Sequence, residues 1–357
     1  MLHTPFYDPT KTYYDNLHHG PFGAFADTDI VEIGEPRFDF CGQKISYPLG
    51  IPAGPLLDSK FVSAAFQKGF DVPVYKTVRS REFPCHSFPN VLSVRVDGDL
   101  TLEKATTPLV ADANYGEPLS ITNSFGVPSR PTDEWKADAK KAVNAARKGQ
   151  VMVMSFMGTV QEGQTPDQFV ADYGEAAKQS LETGAKILET NLSCPNIGNE
   201  GLVCYNLDMT AKVAKAIRDT IGSIPLILKV GYYRDGAQVR ELAAITNEYA
   251  DGISLINTIQ ATIVDEKGNQ ALPGKMRAKS GVCGATIKWA GLEMTEKLIQ
   301  ARDALGAKFA VIGCGGVTVP ADFKEYRKRG ADVVMSATGA MWNPFLAAEI
   351  RALYPHA

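Results

Sequence analysis

Eight short apolar runs, each followed by a stretch with helical spacing, set the tightest limit on what this chain can fold into. The runs are Leu49–Ala53, Val74–Val78, Val151–Phe156, Ile187–Leu192, Leu226–Val230, Gly252–Asn257, Phe309–Gly313 and Val333–Ser336. The helical patterns cover Ser59–Lys68, Pro131–Arg147, Pro166–Glu182, Met209–Ile221, Ala237–Glu248, Ile287–Leu305, Pro320–Arg329 and Pro344–Leu353. Near-continuous apolar strands separated by helices predict a parallel sheet buried on both faces. Eight strand–helix units predict an α/β fold that closes into a (β/α)8 TIM barrel. An open doubly wound sheet is the competitor, but it favours fewer strands and a glycine-rich phosphate loop directly after the first. The segment Ile51-Pro-Ala-Gly-Pro55 is a poor match to that loop.

Such barrels need about 250 residues, and this chain has 357. The surplus divides the chain into an N-terminal arm and hairpin over 1–45 and a single barrel domain over 46–357. The arm is expected to be irregular. Its hairpin runs from Arg37 to Ile45 and turns at Cys41-Gly42, and the segment is expected to pack over the barrel bottom or to form a subunit contact. Two inserts follow strands, at about 80–130 and 259–285, which places both on the C-terminal rim where barrels of this type keep their chemistry. The first is expected to hold a hairpin, Val91–Val96 with Leu100–Leu102, around Asp97-Gly98-Asp99.

A net charge of −3 leaves no electrostatic footprint for nucleic acid. No apolar run reaches the roughly 18 residues of a membrane span. The segment Met1–Asp8 carries no basic stretch followed by an apolar one, so a cytoplasmic location is expected. The six cysteines include no C-x-x-C pair, which argues against zinc-ribbon and ferredoxin-like metal centres, and with no export signal read, the thiols are expected to be reduced.

The strand ends carry the chemistry. The first presents Ala53-Gly54, small enough to admit a planar ligand. The second ends in Lys76-Thr77 and the third carries Ser155. The fourth opens into Glu189-Thr-Asn-Leu-Ser-Cys-Pro-Asn196, where Pro195 cannot continue a ladder. There two carboxamides, Asn191 and Asn196, flank one thiol, Cys194. Paired amides can hold a ligand edge of alternating carbonyl and N–H groups, and the thiol can act as a base. Lys229 is a cation in an otherwise apolar strand, a place lysine seldom takes without a partner. The sixth strand ends in Asn257-Thr258. Gly315-Gly316 and Ala337-Thr338-Gly339, after strands seven and eight, match a phosphate site built from backbone N–H groups, to which Ser280-Gly281 can add donors. Cys204, Cys283 and Cys314 lack such neighbours and read as structural, and the histidines read as peripheral, with His86 the one to revisit.

The segment Asn191-Leu-Ser-Cys-Pro-Asn196 resembles the signature of class 1 dihydroorotate dehydrogenases, shared in large part by the flavin domain of dihydropyrimidine dehydrogenases. The likeness runs from about Gln43 to Leu353 and includes Lys76-Thr77, Asn123-Ser-Phe-Gly126, Ser155, Lys229, Asn257-Thr258, Gly315-Gly316 and Thr338 in order. Cys204-Tyr-Asn-Leu-Asp208 is most similar to the fumarate-using 1A branch. The resemblance implies FMN held by Ala53, Gly54, Lys76, Thr77, Ser155, Asn191, Lys229, Val230, Gly281, Gly315, Gly316, Ala337 and Thr338. It implies a dihydropyrimidine held by Lys76, Asn123, Phe125, Gly126, Val127, Asn191, Asn196, Asn257 and Thr258. Cys194 then takes a proton from C5 of dihydroorotate while hydride passes from C6 to flavin N5. The chain departs from the family pattern in four places: Thr258 stands where serine is common, Val78–Cys85 lacks a Gly-Asn-Pro run, Phe125 takes a substrate-facing slot, and the N-terminal arm is unlike the short start of the fumarate-using branch. The resemblance also implies a homodimer.

A sister flavoenzyme acting on another dihydropyrimidine or enone is the alternative. A tRNA dihydrouridine synthase would need a basic surface that is missing here. A barrel that binds flavin without catalysis would have no use for the thiol, amides and lysines. The sequence leaves the electron acceptor open.

Overall fold

The computed structural model describes residues 2–193, 202–275 and 277–356. Two short strands, β1 (Phe38–Phe40) and β2 (Gln43–Ile45), form the expected antiparallel hairpin. The eight apolar runs become β3 (Leu49–Ile51), β4 (Val72–Arg79), β8 (Val153–Met157), β9 (Ile187–Asn191), β10 (Leu226–Lys229), β11 (Gly252–Leu255), β14 (Ala310–Cys314) and β15 (Val333–Met335). They close into a parallel barrel in the order β3-β4-β8-β9-β10-β11-β14-β15. Every residue of β4, β8, β9, β10, β11 and β15 is buried, the mark of strands covered on both faces.

Helices start where the sequence supplies caps. Asp58 accepts from the backbone N–H groups of Lys60 and Phe61. Thr165 forms a capping box with Gln168 and is followed by Pro166. Asn206 and Asp235 cap the helices Leu207–Ile221 and Gly236–Tyr249.

Side chains alternate in and out along each barrel strand, and this phase stacks the interior in layers. At the bottom, Val72, Val74, Val153, Ile187, Ile227, Ile312 and Val333 cluster with Phe40 and Ile45 of the hairpin, which plugs that end. Two residues further along the same inward phase come Ser155 and Glu189, which pair in register, while Lys229 pairs with Asn191. Two more bring Asn191 to the mouth.

The inserts build a second structure on the rim. The strands β5 (Val91–Val94), β6 (Leu109–Asp112) and β7 (Ser120–Asn123) come from the first insert, and β12 (Ile259–Val264) and β13 (Lys279–Gly284) from the second. They close in the order β12-β13-β7-β5-β6. This corrects the expected hairpin. Val91–Val94 pairs with Leu109–Asp112 and with Ser120–Asn123, while Leu100–Leu102 forms no strand.

The arm also departs from expectation. It holds a helix, Tyr13–His19, opened by a capping box between Thr12 and Asp15. The hairpin and the segment before it lie at the barrel bottom, where Ser46 Oγ donates to Gly34 O (2.6 Å) and the Val31 N–H to Gln67 O (2.7 Å). Residues 3–25 run along the opposite end: the N–H of His3 donates to Trp342 O (3.2 Å) and that of Phe6 to Met341 O (3.0 Å). Phe6 is fully buried and packs on Phe25 with ring centroids 4.2 Å apart.

Candidate active site

The barrel mouth and the rim strands enclose a cavity of about 1040 Å³ of atom-free space, its opening included. From the barrel come Ala53, Gly54, Lys76, Thr77, Asn191, Lys229, Asn257, Thr258, Ala337 and Thr338. From the rim come Asn123, Phe125, Gly126, Val127 and Gly281. The β7–β13 register sets Asn123 opposite Gly281. A Cβ on Gly281 would stand 2.3 Å from the Thr258 hydroxyl oxygen, so only glycine lets these strands close over Thr258. A smaller adjoining cavity of about 280 Å³ is lined by Gly315, Gly316, Val317, Thr318, Ala337 and Thr338.

Two predicted residues do not reach the cavity wall. Ser155 lies one layer below it. Its hydroxyl stands 3.0 Å from that of Thr77 and donates to Glu189 Oε1 (2.9 Å), so it supports the wall through Thr77. Val230 falls out of phase with the inward-facing Lys229 and packs into the surrounding core, its N–H bonded to Ser254 O. Cys194 and Asn196 lie outside the described residues.

The polar groups are buried and directed. Lys229 is 5% exposed and donates to Ala53 O (3.1 Å). Among the described residues no carboxylate lies within ion-pair distance of it. Glu189, fully buried below, is raised above the usual carboxylate range by burial, with Lys229 and Ser155 opposing the shift. An ammonium with one carbonyl partner keeps N–H groups for a ligand. Asn257 Nδ2 donates to Ser193 O (2.7 Å) and stands 3.0 Å from the Ser193 hydroxyl, and Asn191 Oδ1 accepts from Ser193 N (3.1 Å). The amides of Asn191 and Asn257 thus fix the strand end immediately before Cys194.

Sequence reasoning missed several residues here. Cys283 and Cys314 both line the cavity. Cys283 accepts from Asn123 Nδ2 (3.6 Å) and Thr338 Oγ1 (3.5 Å), and burial pushes its thiol up. Burial likewise raises Cys314 to about 11. Neither thiol has sequence neighbours that mark it, because its partners are distant in the chain. Arg79 is 3% exposed and holds the wall segment 126–127: Nε donates to Val127 O (2.9 Å) and Nη2 to Gly126 O (3.0 Å). His86 is not a wall residue. It backs the same segment, so closely that a Cβ on Gly126 would stand 2.5 Å from its Nε2. Tyr7, from the arm, lines the cavity as well.

The two cavities suit a flavin nucleotide. One offers a broad space walled by small residues, amides and a lysine. The other is a narrow pocket at Gly315-Gly316, where a Cβ on Gly316 would meet Lys288 backbone at 2.7 Å, beside the start of the helix Thr338–Trp342, where the N–H groups of Thr338 and Gly339 precede the first intrahelical bond and that of Ala340 is held by the Ser336 hydroxyl (3.0 Å).

Comparison with known proteins agrees with this geometry. The family model described as dihydroorotate dehydrogenase matches residues 103–353. The dihydroorotate dehydrogenase of Dictyostelium discoideum is 34% identical over 97% of this chain and 96% of its own length. The catalytic subunit of dihydroorotate dehydrogenase B (NAD(+)) from Bacillus pumilus is 34% identical over 51% of this chain and 56% of its own. A crystal structure of DHODH from Eimeria tenella in complex with ferulenol shares the fold with a TM-score of 0.66 at 16% identity, covering 88% of this chain and 82% of that one. With most of its length matched by the family model and nearly all of it by a relative above 30% identity, the chain belongs to the dihydroorotate dehydrogenase family, a family of flavoprotein oxidoreductases.

Proposed function

We propose that this protein oxidises dihydroorotate to orotate in pyrimidine biosynthesis, with FMN as its cofactor. The observation that carries the reading is the buried Lys229 ammonium, which faces a cavity ringed by Asn123, Asn191 and Asn257 and has one carbonyl partner among the described residues. FMN, when bound, supplies the hydride acceptor. Ala53, Gly54, Thr77, Lys229 and Gly281 line the space for its ring system, and Gly315, Gly316, Ala337 and Thr338 the space for its phosphate. Lys229 stabilises negative charge that develops beside it. Asn123, Asn191, Asn257 and Thr258 match the carbonyl and N–H edges of a dihydropyrimidine, Lys76 binds its charged edge, and Phe125, Gly126 and Val127 close over it.

A C–H bond next to a carbonyl is a poor acid, so a base must be positioned against it. We assign that base to Cys194 and a further substrate amide to Asn196, on the strength of the family signature. The protein acts on a small molecule without nucleic acid, in the cytoplasm, as a homodimer. No helix among the described residues is long and apolar enough to cross a membrane.

Anaerobic stopped-flow reduction of the FMN-loaded protein tests the reading. Dihydroorotate is expected to bleach the flavin, and Cys194→Ser to keep the yellow colour while slowing that step by about 10²–10⁴-fold. Bleaching by dihydrouracil alone would replace this substrate with another dihydropyrimidine, and full-rate reduction of a Cys194→Ala variant would remove Cys194 as the base.

A further inference from the structure

The N-terminal arm delivers one side chain to the cavity. Tyr7 is 2% exposed, lines the cavity, and its hydroxyl oxygen has no hydrogen-bond partner among the described residues. Buried hydroxyls are nearly always paired in folded proteins, so an unpaired one on a residue that lines a ligand cavity points to the ligand. The position is fixed on both sides. The Phe6 N–H is tied to Met341 O (3.0 Å), and the Asp8 N–H to Asn16 Oδ1 (2.7 Å). Asn16 is itself fully buried and returns its Nδ2 to Asp8 O (2.9 Å) and Thr12 O (2.9 Å). The Tyr7 ring meets Phe125 edge-on at 5.5 Å, and the Lys76 ammonium stands 5.9 Å from the Phe125 ring centre on the cavity wall. Tyr7 thus belongs to the part of the wall that closes over the substrate.

We propose that Tyr7 is a substrate contact whose hydroxyl donates a hydrogen bond to an oxygen of the bound dihydropyrimidine, which makes the arm part of the substrate site. Burial, with smaller contributions from Cys85 and Tyr13, pushes the phenol well above its ordinary range. The group is therefore a neutral donor at physiological pH, suited to a carbonyl or carboxylate oxygen. This inference rests on the proposed dihydropyrimidine activity.

Tyr7→Phe removes one oxygen and no protein hydrogen bond. The melting temperature of the substrate-free enzyme is therefore expected to stay level or rise. The KM for dihydroorotate and the Kd for orotate are expected to rise about three- to tenfold, the effect of one neutral hydrogen bond, with kcat within about twofold of the parent. An unchanged orotate Kd overturns the assignment. So does weakened FMN retention with orotate affinity intact, which would place the hydroxyl on the cofactor. The parent is run in parallel. If dihydroorotate fails to reduce its flavin, the proposed activity falls and the Tyr7 assignment with it; if the parent is reduced and the variant binds orotate equally well, only the Tyr7 assignment falls.

Discussion

Replacing Arg79 by lysine tests whether one guanidinium sets the shape of the substrate-side wall. Val127 sits at φ 53°, a left-handed conformation that is a genuine outlier for a β-branched residue. Such strain costs about 1–3 kcal/mol and persists only where surroundings enforce it. The enforcement is visible. Arg79 donates to Val127 O, to Gly126 O, and through Nη1 to Gly158 O (3.3 Å) and Thr159 Oγ1 (3.2 Å), with its guanidinium 4.1 Å from the Phe83 ring centre. Lysine keeps the charge but not the planar fork, so it cannot serve both sides of this set at once. Hydrogen bonds to a charged group contribute about 1.5–3 kcal/mol each. Losing the two that hold residues 126–127 removes roughly 3–6 kcal/mol, more than the strain they oppose. Arg79→Lys is therefore expected to release the segment. Stability should fall by about 3 kcal/mol, since part of the strain is relieved, and the dihydroorotate KM should rise tenfold or more because both residues line the cavity. The assay pairs urea unfolding with steady-state kinetics on the FMN-loaded enzyme. A variant whose stability drops while its KM stays within about twofold of the parent would show that Arg79 serves the fold alone and that the wall keeps its shape without it.

Two further outcomes follow from the buried groups around the cavity. Burial holds the Cys283 thiol protonated, so Cys283→Ser should leave flavin reduction within about threefold of the parent, against the far larger loss expected for Cys194→Ser; equal losses would show that the base is not unique. Burial first, then Arg277 and Arg79, depresses His86 below its ordinary value of 6.5. In the pH range just below 6.5 the unfolded chain binds the proton more readily than the folded one, so stability should fall as pH drops from about 7.5 to about 5.5. His86→Gln should flatten that slope in urea titrations, and an unaltered slope would assign the pH dependence to other groups.

The barrel was legible because burial on both faces writes each strand as an unbroken apolar run. All eight were anticipated, with ends within two residues of those observed. The same two-residue period separates the strand-end residues that reach the cavity wall from those that lie beneath it. Ile187, Glu189 and Asn191 share one inward phase, and only the last reaches the mouth; Ser155 is level with Glu189 rather than Asn191. Counting depth along the inward phase, rather than noting a polar residue near a strand end, would have put Ser155 beneath the wall. The rim was less legible for a different reason. Asp97-Gly98-Asp99 carries turn chemistry, but turn chemistry specifies only local pairing. The observed partners of β5 are fixed by β7, which is fixed in turn by β13 about 160 residues away. The arm is further removed still, since a single tyrosine in an irregular segment has no periodicity. The barrel supplies strand ends in a geometry that eight repeats dictate. The wall over the substrate is assembled from the arm, Arg79 on its barrel strand and two inserts that meet only in the folded molecule. Substrate preference within such a fold is therefore expected to respond most to changes at Tyr7, Arg79 and 123–127, residues whose importance lies in contacts the linear sequence does not display.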